Sequence, residues 1–153
     1  MRRKDREITD FYEIAGVLRR ADTIRLGING NPYPYVVPLS FGFEAADGKI
    51  SIYFHGAAEG LKHELIAADN RVCVEASVLR RFAECGGITA EYESFIGFGR
   101  AEVVSGGEPA ERAMALMLDH CGFPGHEYDK KAMDNTRIYK ITLTGFSGKR
   151  NLA

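Results

Sequence analysis

Thr23-Ile24-Arg25-Leu26-Gly27-Ile28, then Asn29-Gly30, then a run from Pro32 to Phe43 that contains Pro34-Tyr35-Val36-Val37-Pro38-Leu39-Ser40-Phe41: this stretch decides the class of fold. Its first six residues are mostly β-branched or apolar and favour an extended strand. Asn29-Gly30 is a strong hairpin signal, because both residue types tolerate positive φ. Pro32 to Phe43 then reads as the return strand. Proline has no N–H to give to a ladder, so Pro38 marks an edge, a bulge or an interruption. An interruption would leave the amides from Val37 to Ser40 free to meet the rim of a planar heterocycle.

Outward from this hairpin the pattern repeats. Asp47-Gly48 turns the chain again, and Lys49 to His55 alternates with Ile50, Ile52 and Phe54 on one side. Arg71 to Phe82, Ser94 to Val104 and Arg137 to Thr144 are further strand candidates. Gly97 and Gly99 suggest a bend or a close approach of backbone. Helical periodicity is confined to three places. A first helix is capped by Thr9 or Asp10 and carries Phe11, Ile14, Val17 and Leu18 on one face. Gly60 to Asp69 is the second, and a third follows Gly106-Gly107 with Pro109 in its first turn. Gly122 to Asn135 is irregular. No linker divides the 153 residues, so one domain is expected. Six strands in hairpin order with few helices predict a mainly β (α+β) fold, a closed antiparallel barrel with peripheral helices.

The bulk numbers exclude several classes. Lys plus Arg total 20 and Asp plus Glu 21, so no global field draws in nucleic acid or an anionic membrane surface. No apolar stretch is long enough to span a bilayer, and the charged Met1 to Glu7 segment does not resemble a signal peptide. Cys73, Cys85 and Cys121 are odd in number and irregular in spacing, which suits a reducing cytoplasm better than a disulfide framework.

Chemistry concentrates in Tyr53-Phe54-His55-Gly56-Ala57-Ala58-Glu59-Gly60-Leu61-Lys62. A strand ends, a small-residue loop follows, and a helix opens with a lysine in its first turn. Free amides at a helix start attract anions, a lysine adds charge, and glycine admits close approach. Spacing alone also allows a plain β–α connection with a surface lysine. The Gly-Lys-Ser/Thr ending of a Walker loop is absent, as is a Gly-rich dinucleotide fingerprint. His55 stands directly before the loop, where its imidazole could reach a ligand or a proton. Cys85, His120, Cys121 and His126 lack paired metal-ligand spacing, and no metal site is expected from them.

At these residues the chain resembles the pyridoxamine 5′-phosphate oxidase-related flavoproteins, closest to the nitroimidazole-resistance (Nim-type) group. The resemblance is carried in order by Met1 to Glu7, Pro34 to Gly42, Tyr53 to Ala57, Gly60-x-Lys62, Ser94-Phe95-Ile96-Gly97-Phe98-Gly99-Arg100-Ala101 and Gly148-Lys149-Arg150. It implies a six-stranded split barrel and a homodimer with one FMN per subunit in the dimer cleft. Val36, Val37, Pro38, Leu39 and Ser40 would border the flavin ring. Phe54, His55, Gly56 and Lys62 would lie on its phosphate and ribityl side, with Ser94 adding a polar contact and Lys149 a weaker one. His55 is the implied catalytic residue, and NAD(P)H the implied transient reductant of an enzyme serving a small acceptor such as a nitroaromatic. The alternative is a non-enzymatic FMN or haem carrier, with His120 or His126 as axial ligand. The chain departs from many relatives at Leu61, where they carry a second base; Arg80, Arg81 or a partner subunit would then supply that charge.

Overall fold

Alternating burial gives eight antiparallel strands among the described residues of the computed structural model, which are 2–129 and 131–152. In chain order these are β1 (Glu7–Ile8), β2 (Ile24–Ile28), β3 (Tyr35–Leu39), β4 (Gly42–Ala46), β5 (Lys49–Ala57), β6 (Arg71–Glu84), β7 (Ile88–Val103) and β8 (Thr136–Asn151). The helices are α1 (Phe11–Arg20), α2 (Leu61–Ala68) and α3 (Glu108–His120). None of them is long and apolar enough to cross a membrane. The strands form one sheet in the order β3-β2-β6-β7-β8-β5-β4, with β1 added on β8.

The class of fold is the expected one, but the sheet is split rather than closed. What reads in sequence as one return strand is two strands at opposite ends of the path, β3 on β2 and β4 on β5, separated only by Ser40 and Phe41. Phe41 is fully buried and pins this crossing. β5 pairs with β8 from Ser51 to Ala57 but with β4 only from Lys49 to Tyr53. Among the described residues its outer edge from Phe54 to Ala57 therefore has no ladder, and neither does the outer edge of β3.

Pro38 does not interrupt β3: the ladder with β2 runs from Ile24↔Leu39 through Arg25↔Pro38 to Ile28↔Tyr35. A residue's N–H and C=O lie on one side of its strand, so a proline is tolerated when that side is the free edge. With Pro38 outward, Val36 and Ser40 are outward too, while Val37 and Leu39 bond β2. The Asn29-Gly30 turn is also longer than the sequence signal suggests, since Ile28 pairs with Tyr35 and six residues form the loop. This register sets Tyr35, Val37 and Leu39 against Ile28, Leu26 and Ile24 on the core side. A tight turn would have put Asn31 opposite Ile28 and left Leu39 without a partner.

The barrel interior is filled by residues such as Ile24, Leu26, Ile50, Ile52, Phe54, Phe95 and Ile141, all at most 1% exposed. α1 contributes Ile14, Val17 and Leu18, and Phe11 packs on Phe146. Its start is fixed by Asp10, whose Oδ1 accepts from the Glu13 N–H at 2.8 Å. A second, smaller core lies under α3, where Ala113, Met114 and Met117 cover Tyr53 and Ile138. Gly99 marks a bulge between β7 and β8, and a Cβ there would stand 2.3 Å from the Thr142 carbonyl oxygen. At the far end of β7, the fully buried Glu93 accepts from Arg20, Arg80 and Arg150 at 2.7–3.0 Å. Cys73, Cys85 and Cys121 are free thiols.

Candidate functional site

The loop after β5 folds back so that α2 begins directly over the end of the strand. Gly60 caps α2 without any side-chain hydrogen bond, and its φ of 123° is one that glycine alone adopts with ease. Its carbonyl already takes the His63 N–H at 2.9 Å, leaving the Leu61 and Lys62 amides as the open donors of the first turn. Lys62 curls over Gly56: a Cβ at Gly56 would lie 2.6 Å from the Lys62 Nζ. The same ammonium sits 5.4 Å from the centre of the Phe54 ring. Among the described residues no carboxylate pairs with it, and burial lowers its pKa. An unneutralised, half-buried cation beside open helix amides is built to hold an anion.

Behind it stands an aromatic stack. Phe54 and Tyr139 stack at 5.1 Å, and His63 also stacks on Tyr139 at 5.5 Å while its Nδ1 shares a hydrogen bond of 3.0 Å with the Tyr139 hydroxyl. Burial lowers the His63 pKa, and the charges of Lys62 and Arg137 push in the same direction.

His55 lies on the opposite face of β5 from Gly56, as neighbouring strand residues must. Its side chain reaches the surface, yet crowding by the surrounding protein lowers its pKa, and the Lys62 charge lowers it further. The two groups thus sense each other around the free edge of β5.

The structure sorts the residues expected from sequence into three places. His55, Gly56 and Lys62 come together at the end of β5, and Val36, Pro38 and Ser40 are exposed along β3, the strand at one end of the sheet path. Val37 and Leu39 turn inward against the core. Phe54 is fully buried, so a ligand would meet its backbone and the lysine above it rather than its ring. Ser94 and Lys149 pair with one another across β7 and β8, eleven residues along β8 from the His55↔Ile138 pair. That is on the order of 35 Å of strand, and one chain does not bring them to Lys62. Within one chain Arg80 and Arg81 lie at that same far end, paired with Glu93 and Glu91. His120, weighed as a haem ligand, donates from Nε2 to the Ala21 carbonyl at 2.9 Å and packs on Phe41.

Gly56 gives a selective test of this arrangement. In Gly56→Ala the new methyl meets only the tip of a flexible side chain, so the melting temperature should move by no more than a degree or two. The Lys62 ammonium must leave its place, and affinity for inorganic phosphate should fall several-fold. Phosphate titration of both proteins checks this, and unchanged affinity would show that the position over Gly56 is immaterial.

Residues 11–150 match the family model described as pyridoxamine 5′-phosphate oxidase. No curated protein matches the chain. Among solved structures, a candidate 5-nitroimidazole antibiotic resistance protein from Bacteroides thetaiotaomicron is 27% identical with a TM-score of 0.83, over 94% of this chain and 85% of the other. A flavocytochrome from Azotobacter vinelandii is 19% identical with a TM-score of 0.81, over 100% of this chain and 72% of the other. An FAD-binding protein from Mesorhizobium loti is 20% identical with a TM-score of 0.71, over 96% and 98%.

Proposed function

The chain belongs to the pyridoxamine 5′-phosphate oxidase family, and from that premise we propose that it binds FMN at the split of its barrel and acts as a flavin-dependent reductase. The observation that carries this reading is the open start of α2, with Lys62 closed over Gly56 and, among the described residues, no carboxylate neutralising it. The residues fit the group. Lys62 and the Leu61 and Lys62 amides would hold the phosphate, and the free backbone edge at Val36, Pro38 and Ser40 would meet the polar rim of the ring. When bound, a flavin supplies two-electron chemistry between NAD(P)H and a small acceptor such as a nitroaromatic. His55 would hold and deliver a proton from its imidazole, and the β3 edge would orient the ligand.

A homodimer belongs to the same reading. On the outer face of the sheet, Val36 and Phe98 stand 60% and 57% exposed at the ends of one cross-strand row, with Gly27 and Cys73 between them. The small residues leave a groove of about 790 Å³ there, which suits coverage by a second copy. A partner is also the route by which Ser94 and Lys149 would reach a flavin.

The test begins with the visible spectrum of the purified protein and titration with FMN. Flavin bands, bleaching by NADH or NADPH without oxygen, and recovery on adding a nitroaromatic are the expected results. A colourless protein that takes up no FMN overturns the reading. FMN that bleaches with dithionite but with neither nicotinamide would make the protein a carrier instead. Lys62→Ala is expected to weaken FMN binding by roughly tenfold to a hundredfold, the loss of one charged hydrogen-bond donor. Equal affinity in calorimetric titration would place the phosphate elsewhere.

A further inference from the structure

We propose that Arg137 is the second cation of this phosphate site, gripping the phosphate from β8 while Lys62 grips it from α2. The inference rests on the flavin reading and names the residue that completes its charge balance. A phosphate monoester carries about −1.5 to −2 charges near neutral pH. Lys62 supplies one, the α2 N-terminus about half of another, and Leu61 none.

Arg137 is the direct cross-strand partner of Gly56 in the β5–β8 ladder. Opposed residues place their side chains on the same face with Cβ positions roughly 5 Å apart. This is the face on which the Lys62 ammonium closes over Gly56. Arg137 also lines a cleft of about 490 Å³ together with the later part of α2, from Ile66 onward, and its charge reaches His63 on that same helix. The other arginine in that cleft, Arg100, is turned to the Asn70 side-chain oxygen at 2.8 Å.

Arg137, like Arg6, Arg19 and Arg100, has no carboxylate partner among the described residues, but it alone of these stands opposite Gly56 in the ladder. Arg20, Arg71, Arg81, Arg112 and Arg150 each hold a carboxylate within 3.0 Å, but among the described residues none pairs with Arg137. A half-buried guanidinium without a counterion leaves a planar fork of donors open, and that fork matches the oxygens of a phosphate in a bidentate grip. The glycine opposite removes the side chain that would otherwise stand between the fork and the lysine.

The experiment compares FMN with riboflavin, which has the same ring and ribityl chain but no phosphate. In Arg137→Ala, FMN affinity should fall roughly tenfold to a hundredfold while riboflavin affinity stays as in the wild type. Arg137→Lys should recover part of the loss as a point charge without the fork. If alanine unfolds the strand, Arg137→Gln and Arg137→Lys carry the same comparison, with melting temperature as the folding check. FMN affinity unchanged in Arg137→Ala, or FMN and riboflavin weakened alike, overturns the proposal. A wild-type protein that binds no FMN overturns the flavin reading together with it. Loss in Lys62→Ala without loss in Arg137→Ala overturns this inference alone.

Discussion

Glu93→Ala should destabilise the protein by about 3 kcal/mol, the lower end of the range for breaking a buried ion pair. The carboxylate is fully buried, and three guanidinium groups converge on it from α1, β6 and β8. Removing it leaves three like charges within reach of one another and a cavity in the sheet. The lower figure is appropriate because those arginines are 29–46% exposed and can turn to water. For a chain of this size that is a fall in melting temperature of roughly 6–12 °C. Urea unfolding of wild type and Glu93→Ala measures it directly; a difference under about 1 kcal/mol would mean the cluster is merely tolerated.

The same residue has a pH signature. Burial alone would raise the Glu93 pKa, but hydrogen bonds from Arg80, Arg150 and Arg20 outweigh it, and the net shift is downward. A carboxylate whose folded pKa lies below its unfolded value stabilises the fold above the unfolded value. That contribution is lost as pH falls through the folded one. Glu93→Gln should therefore flatten the acid limb of the stability curve, since its amide does not titrate.

Glu93 also shows what a sequence reading passes over. Charged residues are expected on the wet side of a strand, yet period-two alternation puts Glu91 and Glu93 in phase with Phe95, Gly97 and Gly99. That phase was the available signal for a buried acid. It is easily missed, because the arginines that make burial affordable lie as far off as Arg20 and Arg150. The hairpin order and the helix positions were legible because they rest on local periodicity. The splitting of Pro32 to Phe43 into β3 and β4 was not, since it depends on Phe41 being buried by elements distant in sequence.

The candidate site divides along the same line. Lys62 was legible because the strand, loop and helix start are contiguous, and its companions His55 and Gly56 are neighbours in the chain. Arg137 was not, because its place beside Gly56 is a matter of ladder register between β5 and a strand eighty residues later. Ser94 and Lys149 are in order along the sequence but stand at the other end of β7 and β8. Linear order says which residues exist, whereas register says which of them can share a ligand.

His55→Ala should slow acceptor reduction by roughly a hundredfold to ten-thousandfold, the usual span for loss of a general acid, while FMN affinity changes by no more than a few-fold. The asymmetry follows from position. Gly56 and Lys62 meet on one face of β5 and His55 leaves from the other, so removing the imidazole leaves the anion contacts intact. The pH profile separates proton delivery from simple positioning. Crowding by protein and the Lys62 charge both hold the His55 pKa below its ordinary value of 6.5. The protonated donor is present only below that lowered pKa, so the wild-type rate should fall as pH rises through a point on the acid side of 6.5. In His55→Ala this limb should vanish and leave a slow, flatter profile; His55→Gln should behave the same, since it keeps a polar group but has no proton to titrate. A variant that keeps the limb would assign the proton to another group, and equal loss of FMN affinity and rate would make His55 a binding residue. Lys62→Ala supplies the complementary check: with the neighbouring charge removed, the His55 limb should move toward higher pH.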